Sequence, residues 1–407
     1  MHMTYVAERE LPLATARQRI DEQLAQLALN VEEHWEGTWV GSARIGLSSQ
    51  TGATSQGCGK GLEQEARVGA RFEALEHFLD EHLTRNAHLN EASDLARMPT
   101  LQDDMLQPWL AAQPHEKLAC QAYHDLDGQW LFDYPLCLTR PDYADHPAAG
   151  ETFDLRGLRR YSSNDGSAIG ATLQEAILHA LNQSIERDAL SLFFLRHYYY
   201  RQPSPLRWVS KPGTHTELGR IWQHAEDCLE APIGVLDISS EFASSTYLAL
   251  RMSQASRLHG ALFGAGASLD PWHAVRRAVT ELVQVQLNSR PPGALDELKL
   301  AERLLRPFPR LQSCLQFDLD VLLEKAGHTV ALPDPGPRCS VRQQLRYLYA
   351  DLQRHGRQAG ICQLFQGHEG ISLVNVVVPG LERFHLVCSG NVVCPGPRGL
   401  AHRSQQP

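Results

Sequence analysis

The sequence predicts a protein of mixed α and β structure, on three observations. The segment QAYHDLDGQWLFDYPLCL alternates polar and apolar residues about Asp127-Gly128, a hairpin signal. Residues 14–34 space Ile20, Leu24, Leu27 and Val31 along one face of an amphipathic helix. One arrangement then recurs three times: a strand, a small-residue loop, and a helix carrying two acidic or amide side chains three residues apart. The pairs are Glu73/Glu76 in GARFEALEHFL, Gln183/Glu186 in HALNQSIERDAL and Glu281/Gln284 in RRAVTELVQVQ. Residues at i and i+3 leave the same face of a helix. Three such pairs converging make an acidic, oxygen-rich cage, suited to Mg²⁺ shared between a few carboxylates and the phosphates of a nucleotide.

Taken in order, residues 36–49 read as strand and turn, and Thr51–Gly61 as a polar, glycine-rich loop leading into the first acidic helix. A second loop, Tyr161–Gly170, precedes the helix of Gln183 and Glu186, with Thr172 as N-cap and Glu175 three residues on, a capping-box spacing. Residues 232–239 and 245–252 read as paired strands, and Gly264–Asp270 as the third loop. The region 291–340 reads as helices joined by loops, with LPDPGPR at 332–338 an exposed linker. ISLVNVVVPG at 371–380 is a β-branched run ended by Pro-Gly, a buried strand. The tail from Gly396 has neither period. The expected division is residues 1–48 as an N-terminal helix and strand region, 49–395 as the catalytic domain and 396–407 as a tail.

A chain of 407 residues has ample core. With 43% hydrophobic and 21% charged residues it has the composition of a soluble enzyme. Its net charge of −9 argues against nucleic-acid binding. No apolar run reaches the ~18 residues of a membrane span, and the first residues lack a signal-peptide core. The expectation is a cytoplasmic protein with no membrane partner. Nine cysteines without a CxxC pair read as reduced thiols.

Each motif has a plain reading beside the functional one. A small-residue loop before a helix N-terminus leaves backbone N–H groups open to phosphate, yet most such loops are turns. Lys60, between Gly59 and Gly61, adds a point charge for phosphate or is a solvated lysine. GCGKG is not a Walker A loop, because Gly61 stands where Ser or Thr is needed. Glutamates on helices mostly face water, but Phe72, Leu75, Phe78 and Leu79 crowd the first acidic helix. Ile177, Leu178, Leu181 and Ile185 make the second equally apolar, so Glu186 there needs a partner or a metal. His77, His82 and His88 read as surface histidines, and HYYYRQ at 197–202 as a half-buried helix end. No Ser-His-Asp or Cys-His constellation is legible.

In order and spacing, GKG before E-x-x-E, a Ser-Asn loop leading to EAILHALNQSIERDA, and GAGASLDPWHAVRRAVTELVQ resemble the YcaO superfamily from about Ser49 to Gln286, with VVVPGLERF adding support. The resemblance implies an α+β fold with mixed sheets, in which ATP and Mg²⁺ lie between helices bearing E-x-x-E, E-x-x-E-R and E-x-x-Q. Carried over by position, Glu73, Glu76, Glu186 and Glu281 are metal-ligand candidates. Lys60, Asn164, Glu175, Gln183, Glu281 and Gln284 are nucleotide-binding candidates, and Glu76, Glu186 and Arg187 catalytic ones. Two positions depart from the pattern: Gln183 stands where the family has Glu, which leaves three alternatives (weaker binding of one metal, compensation by a nearby acid such as Asp188, or a diverged activity), and His77 stands where many relatives have Arg.

The resemblance implies a cyclodehydratase, in which Cys, Ser or Thr of a precursor peptide attacks the preceding amide carbonyl and the amide oxygen leaves as phosphate, giving an azoline. It also implies a separate ubiquitin-activating-enzyme-like protein that binds the leader peptide, a flavin-dependent azoline dehydrogenase, and a homodimer using exposed apolar surface at 190–200. The prolines at 395, 397 and 407 do not make the family's P-x-P-x-P ending, so thioamide or amidine formation stands as the alternative. A degenerate scaffold that binds a partner without turnover is the non-enzymatic one.

Overall fold

The computed structural model describes residues 7–202, 204–252, 262–334 and 339–403. The helices are α1 (Leu13–Gln26), α2 (Glu63–His82), α3 (Ala92–Ala96), α4 (Gln107–Ala112), α5 (Leu173–Phe194), α6 (Glu217–Leu229), α7 (Pro271–Asn288), α8 (Asp296–Leu305), α9 (Pro309–Gln316), α10 (Leu319–Leu323), α11 (Val341–Arg354) and α12 (Pro397–Arg403). The strands are β1 (Asn30–Gly37), β2 (Val40–Ser48), β3 (Thr54–Leu62), β4 (His88–Glu91), β5 (Lys117–His124), β6 (Trp130–Pro135), β7 (Ser167–Gly170), β8 (Leu206–Val209), β9 (Ile233–Asp237), β10 (Ser245–Arg251), β11 (Gly264–Ser268), β12 (Gly327–Val330), β13 (Gly360–Gln366) and β14 (Ser372–Val377).

They form three sheets among the described residues. β1-β2-β3 is antiparallel. The second runs β11-β10-β9-β8-β12, with β8 and β12 parallel. The third runs β4-β5-β13-β14-β7, with β6 paired to β5. This is an α+β fold with a mixed sheet. No described helix is long and apolar enough to cross a membrane.

α5 is the spine. Ile177, Leu181 and Ile185 pack against α11 and β14, while Leu190, Phe193 and Phe194 enter the largest core. Each such side chain contributes roughly 1.5–3 kcal/mol on burial. The expected hairpin forms as β5 and β6, with Gly128 at φ 81° in its turn. Residues 232–239 and 245–252 pair as β9 and β10, and β14 is buried throughout. Within 291–334 lie helices α8 to α10, as expected, and also strand β12, which the sequence did not mark. Residues 335–338 of the expected linker lie outside the described residues.

The structure corrects several readings. Thr51–Gly61 is largely strand, not loop: β3 pairs with β2 along its whole length. Its glycines serve a close approach. Gly57 and Gly59 face α2, and a Cβ there would overlap the backbone of Ala74 and Ala66. Gly264–Ser268 is likewise a strand, with Gly264 and Gly266 against Ala278 and Ala274 of α7. The first helix ends at Gln26 rather than 34: Ala28 is left-handed at φ 52°, and the chain turns into β1. The first sheet spans position 48, and α1 packs on α2. The expected apolar surface at 190–200 is buried from Leu190 to Leu195, because α5 runs through the core. Residues 397–403 of the tail are helical as α12, tied down by Arg398, whose guanidinium pairs with Asp188 at 2.7 and 2.8 Å, and residues 404–407 lie outside the described residues.

Candidate functional site

Three strand–helix units, β3–α2, β7–α5 and β11–α7, surround a cavity of about 480 Å³, within the range that holds a nucleotide-sized ligand. Every metal, nucleotide and catalytic candidate carried over from the sequence lines it: Glu73 and Glu76 of α2; Glu175, Gln183, Glu186 and Arg187 of α5; Glu281 and Gln284 of α7; Lys60 of β3; and Asn164. The small-residue strands let the helices close in until their polar stripes face one space. Thr172 caps α5 by accepting from the Glu175 N–H at 3.2 Å.

The stripes are longer than three-residue spacing revealed. His179 sits one turn before Gln183, while His273 and Arg277 sit two turns and one turn before Glu281, and all line the cavity. Extending each motif by i−4 finds them. His77, expected on the surface, lines it too and places Nδ1 2.6 Å from the Gln56 carbonyl oxygen. Arg9 and Asp165 join from segments without periodicity.

Contacts divide the expected residues. Glu281 forms an ion pair with Lys60. Glu76 accepts from the Ile169 N–H at 2.8 Å, and Gln183 from the Gly166 N–H at 2.8 Å, so these two hold the loop and strand before α5. Glu175 accepts from the Glu10 and Leu11 N–H groups at 2.6 and 3.4 Å, which anchors the N-terminal segment over α5. Asp188 does not compensate for Gln183. It points into the core, fully buried, and is taken up by Arg398 and by the Glu382 N–H at 2.8 Å.

Burial raises the carboxyls of Glu73, Glu76 and Glu186 above the usual range; for Glu76 the charge of Glu73 adds to it, for Glu186 that of Glu281. Burial works on Glu281 in the same direction, but Lys60, Arg187 and Arg277 outweigh it and hold that carboxyl below its ordinary value. Carboxylates from three helices therefore feel one another across the cavity. Burial and the Arg277 charge push His179 and His273 well below the ordinary imidazole value. Glu186 Oε2, Arg187 Nε and Arg277 Nε are buried without a hydrogen-bond partner. Among the described residues the one trio of ligand atoms within 4.8 Å of one another is Glu22, His368 and Glu369, mostly exposed and away from the cavity.

The family model described as YcaO cyclodehydratase, ATP- and Mg²⁺-binding, matches residues 58–382. The chain belongs to the YcaO family. ATP and Mg²⁺ are the family's cofactors. The fold is that of a YcaO protein from Methanopyrus kandleri bound with AMPPCP and Mg²⁺ (TM-score 0.62, 20% identity, 94% of this chain and 95% of that one). It is also that of a heterocyclase in complex with substrate and cofactor (TM-score 0.64, 17% identity, 93% of this chain and 54% of that one). An E. coli microcin synthetase complex contains a chain of the same fold (TM-score 0.59, 15% identity, 87% and 88%). In sequence the chain is 27% identical over 234 residues to an uncharacterised protein of Methanothermobacter thermautotrophicus, spanning 55% of this chain and 56% of that relative.

The residues present fit Mg²⁺ and a nucleotide triphosphate. Oxygen donors from three helices suit a hard cation. Lys60, Arg187, Arg276 and Arg277 put positive charge around the same space, the sign that phosphate requires. Glu186 Oε2, Arg187 Nε and Arg277 Nε, buried without a hydrogen-bond partner, are open to a ligand in this space.

Proposed function

We propose that this chain is an ATP-dependent cyclodehydratase, which closes azoline rings from Cys, Ser or Thr of a ribosomally made precursor peptide. The observation that carries the reading is the convergence of α2, α5 and α7 on one cavity, each bringing carboxylates, with Glu186 buried and unfinished among them. Bound there, Mg·ATP supplies the phosphoryl group that turns an amide oxygen into a leaving phosphate. In the proposed roles Glu73, Glu76, Glu186 and Glu281 hold the metal, and Lys60, Asn164, Glu175, Gln183 and Gln284 line the nucleotide. Glu76 and Gln183 also fix the backbone before α5. Arg187 neutralises charge on the transferred group. No side chain has to act as a covalent nucleophile, because the peptide brings its own.

The separate leader-binding protein and the flavin-dependent dehydrogenase belong to the same proposal, supported by the likeness to a chain of the microcin synthetase complex. The test is mass spectrometry of a Cys-, Ser- or Thr-containing precursor incubated with the chain, its leader-binding partner and Mg·ATP. The expected product is lighter by one water per ring, with one ATP consumed for each. Exchange of an amide oxygen for sulfur would replace azoline with thioamide formation, and ATP use without a change in the peptide would contradict both.

A further inference from the structure

A Ser-His-Asp chain lies beside the cavity, assembled from three distant segments. His385 Nε2 is 2.8 Å from Asp165 Oδ2, and its Nδ1 is 3.1 Å from Ser191 Oγ. The residue types are those of a hydrolytic triad, but the two ring nitrogens are exchanged, since in a triad the acid meets Nδ1 and the serine Nε2, and the serine has no access to a substrate. Ser191 is fully buried on the core side of α5, and its hydroxyl is held by the Arg187 and Glu382 carbonyl oxygens at 2.7 and 3.0 Å. It also accepts the backbone N–H of His385 at 2.9 Å. The chain therefore does not end on a nucleophile at Ser191.

Its other end reaches the cavity. Asp165 lines the cavity, and its Oδ1 lies 3.5 Å from Arg187 Nε, an ion-pair contact rather than a formed hydrogen bond. Arg187 Nε has no hydrogen-bond partner, and its Nη1 is 4.0 Å from Glu186. The guanidinium is thus held on one side by Asp165 and is free to meet a ligand. His385 does not line the cavity, and its ring nitrogens bond Asp165 and Ser191 rather than Arg187 or Glu186. A carboxylate only accepts hydrogen bonds, so the proton between the two groups resides on His385 Nε2. Ser191 accommodates either state of Nδ1, donating to it or turning its hydroxyl to a carbonyl oxygen.

We infer that His385 is a positioning residue for the nucleotide site: it orients Asp165, which in turn holds Arg187 toward the phosphates. Removing a residue that orients a metal ligand typically costs about 10- to 100-fold in affinity or activity, and a loss at the low end of that range is expected here. The inference rests on the proposed role of Arg187, and two separate readouts keep the two apart.

The first readout needs no nucleotide. In crystal structures of His385→Phe and His385→Gln, the Asp165–Arg187 contact is lost in the first and kept in the second, where an amide N–H replaces the imidazole donor. Arg187 unmoved in His385→Phe overturns the inference, whatever the chain binds. The second readout is the Kd for Mg·AMPPCP by calorimetry. His385→Phe weakens it about 10-fold and His385→Gln by less than about 3-fold. In an Arg187→Ala background His385→Phe adds nothing, because the residues act in series. Equal losses in both backgrounds would reduce His385 to a structural role and overturn the inference. Failure of the wild type to bind Mg·AMPPCP would instead count against the nucleotide site itself.

Discussion

Two polar groups of α5, Glu186 and Asp188, are two residues apart in sequence, both buried, and completed very differently. Asp188 points into the core, where Arg398 meets both its oxygens and the Glu382 N–H adds a third contact. Around it Glu382 accepts from the N–H groups of Arg383, Gly396 and Gly399 at 3.1, 3.0 and 2.8 Å. Glu186 points into the cavity with Oε2 unpartnered, its closest cation contact 4.0 Å away. A folded chain leaves few buried polar atoms unmet. The difference teaches where the structure is closed on itself and where it is built to be completed by something else. The core cluster secures α12 and the C-terminal segment; the cavity cluster is stability given up at a site.

The comparison breaks first at Asp188. Replacing it by alanine leaves Arg398 buried beside Glu241 alone, and the loss of one partner of a buried pair costs about 3–5 kcal/mol. Urea unfolding of Asp188→Ala measures it. A loss of about 1 kcal/mol or less would place the pair with ordinary surface contacts.

Glu382 sharpens it through pH. Burial raises this carboxyl to about 7, against the pull of the Gly396 and Gly399 N–H groups. The folded value lies above the unfolded one, so the folded state holds the extra proton between them. Stability is then greatest below the unfolded value and falls as pH rises toward 7, by roughly 3 kcal/mol in all. Denaturation at several pH values shows this slope in the wild type, and Glu382→Gln flattens it. An unchanged slope in the variant would assign the pH dependence elsewhere.

The smallest effect is expected at Gln183. Its carbonyl oxygen is already engaged by the Gly166 N–H, a bond that a glutamate oxygen also accepts. Gln183→Glu therefore shifts Mg·ATP affinity by less than about 3-fold, under about 1 kcal/mol. A tenfold gain by calorimetry would show that the family's glutamate binds the metal at this position.

Much of the site was legible because helical spacing is local. Glu73/Glu76, Gln183/Glu186 and Glu281/Gln284 need only the 3.6-residue period to share a face, and all six reach the cavity. The glycine-rich segments were misread because glycine signals both turns and close packing. In β3 the alternation of Gly57 and Gly59 is the strand period, marking the face against α2. Arg9, Asp165 and His385 could not be read, since their partners lie far along the chain and no period connects them. Of the alternatives for Gln183, compensation by Asp188 fails for a geometric reason: five residues away, it projects from another side of the helix. The order in α12 comes from long-range ion pairs of Arg398, which composition does not record.

The central claim is that the cavity of α2, α5 and α7 binds Mg·ATP. Calorimetric titration of wild type, Glu76→Ala and Glu186→Ala with ATP, with and without Mg²⁺, tests it most directly. Mg²⁺-dependent binding is expected of the wild type, weakened by about tenfold or more in both variants while they remain folded. Binding of undiminished affinity in both folded variants would place the nucleotide elsewhere and contradict it.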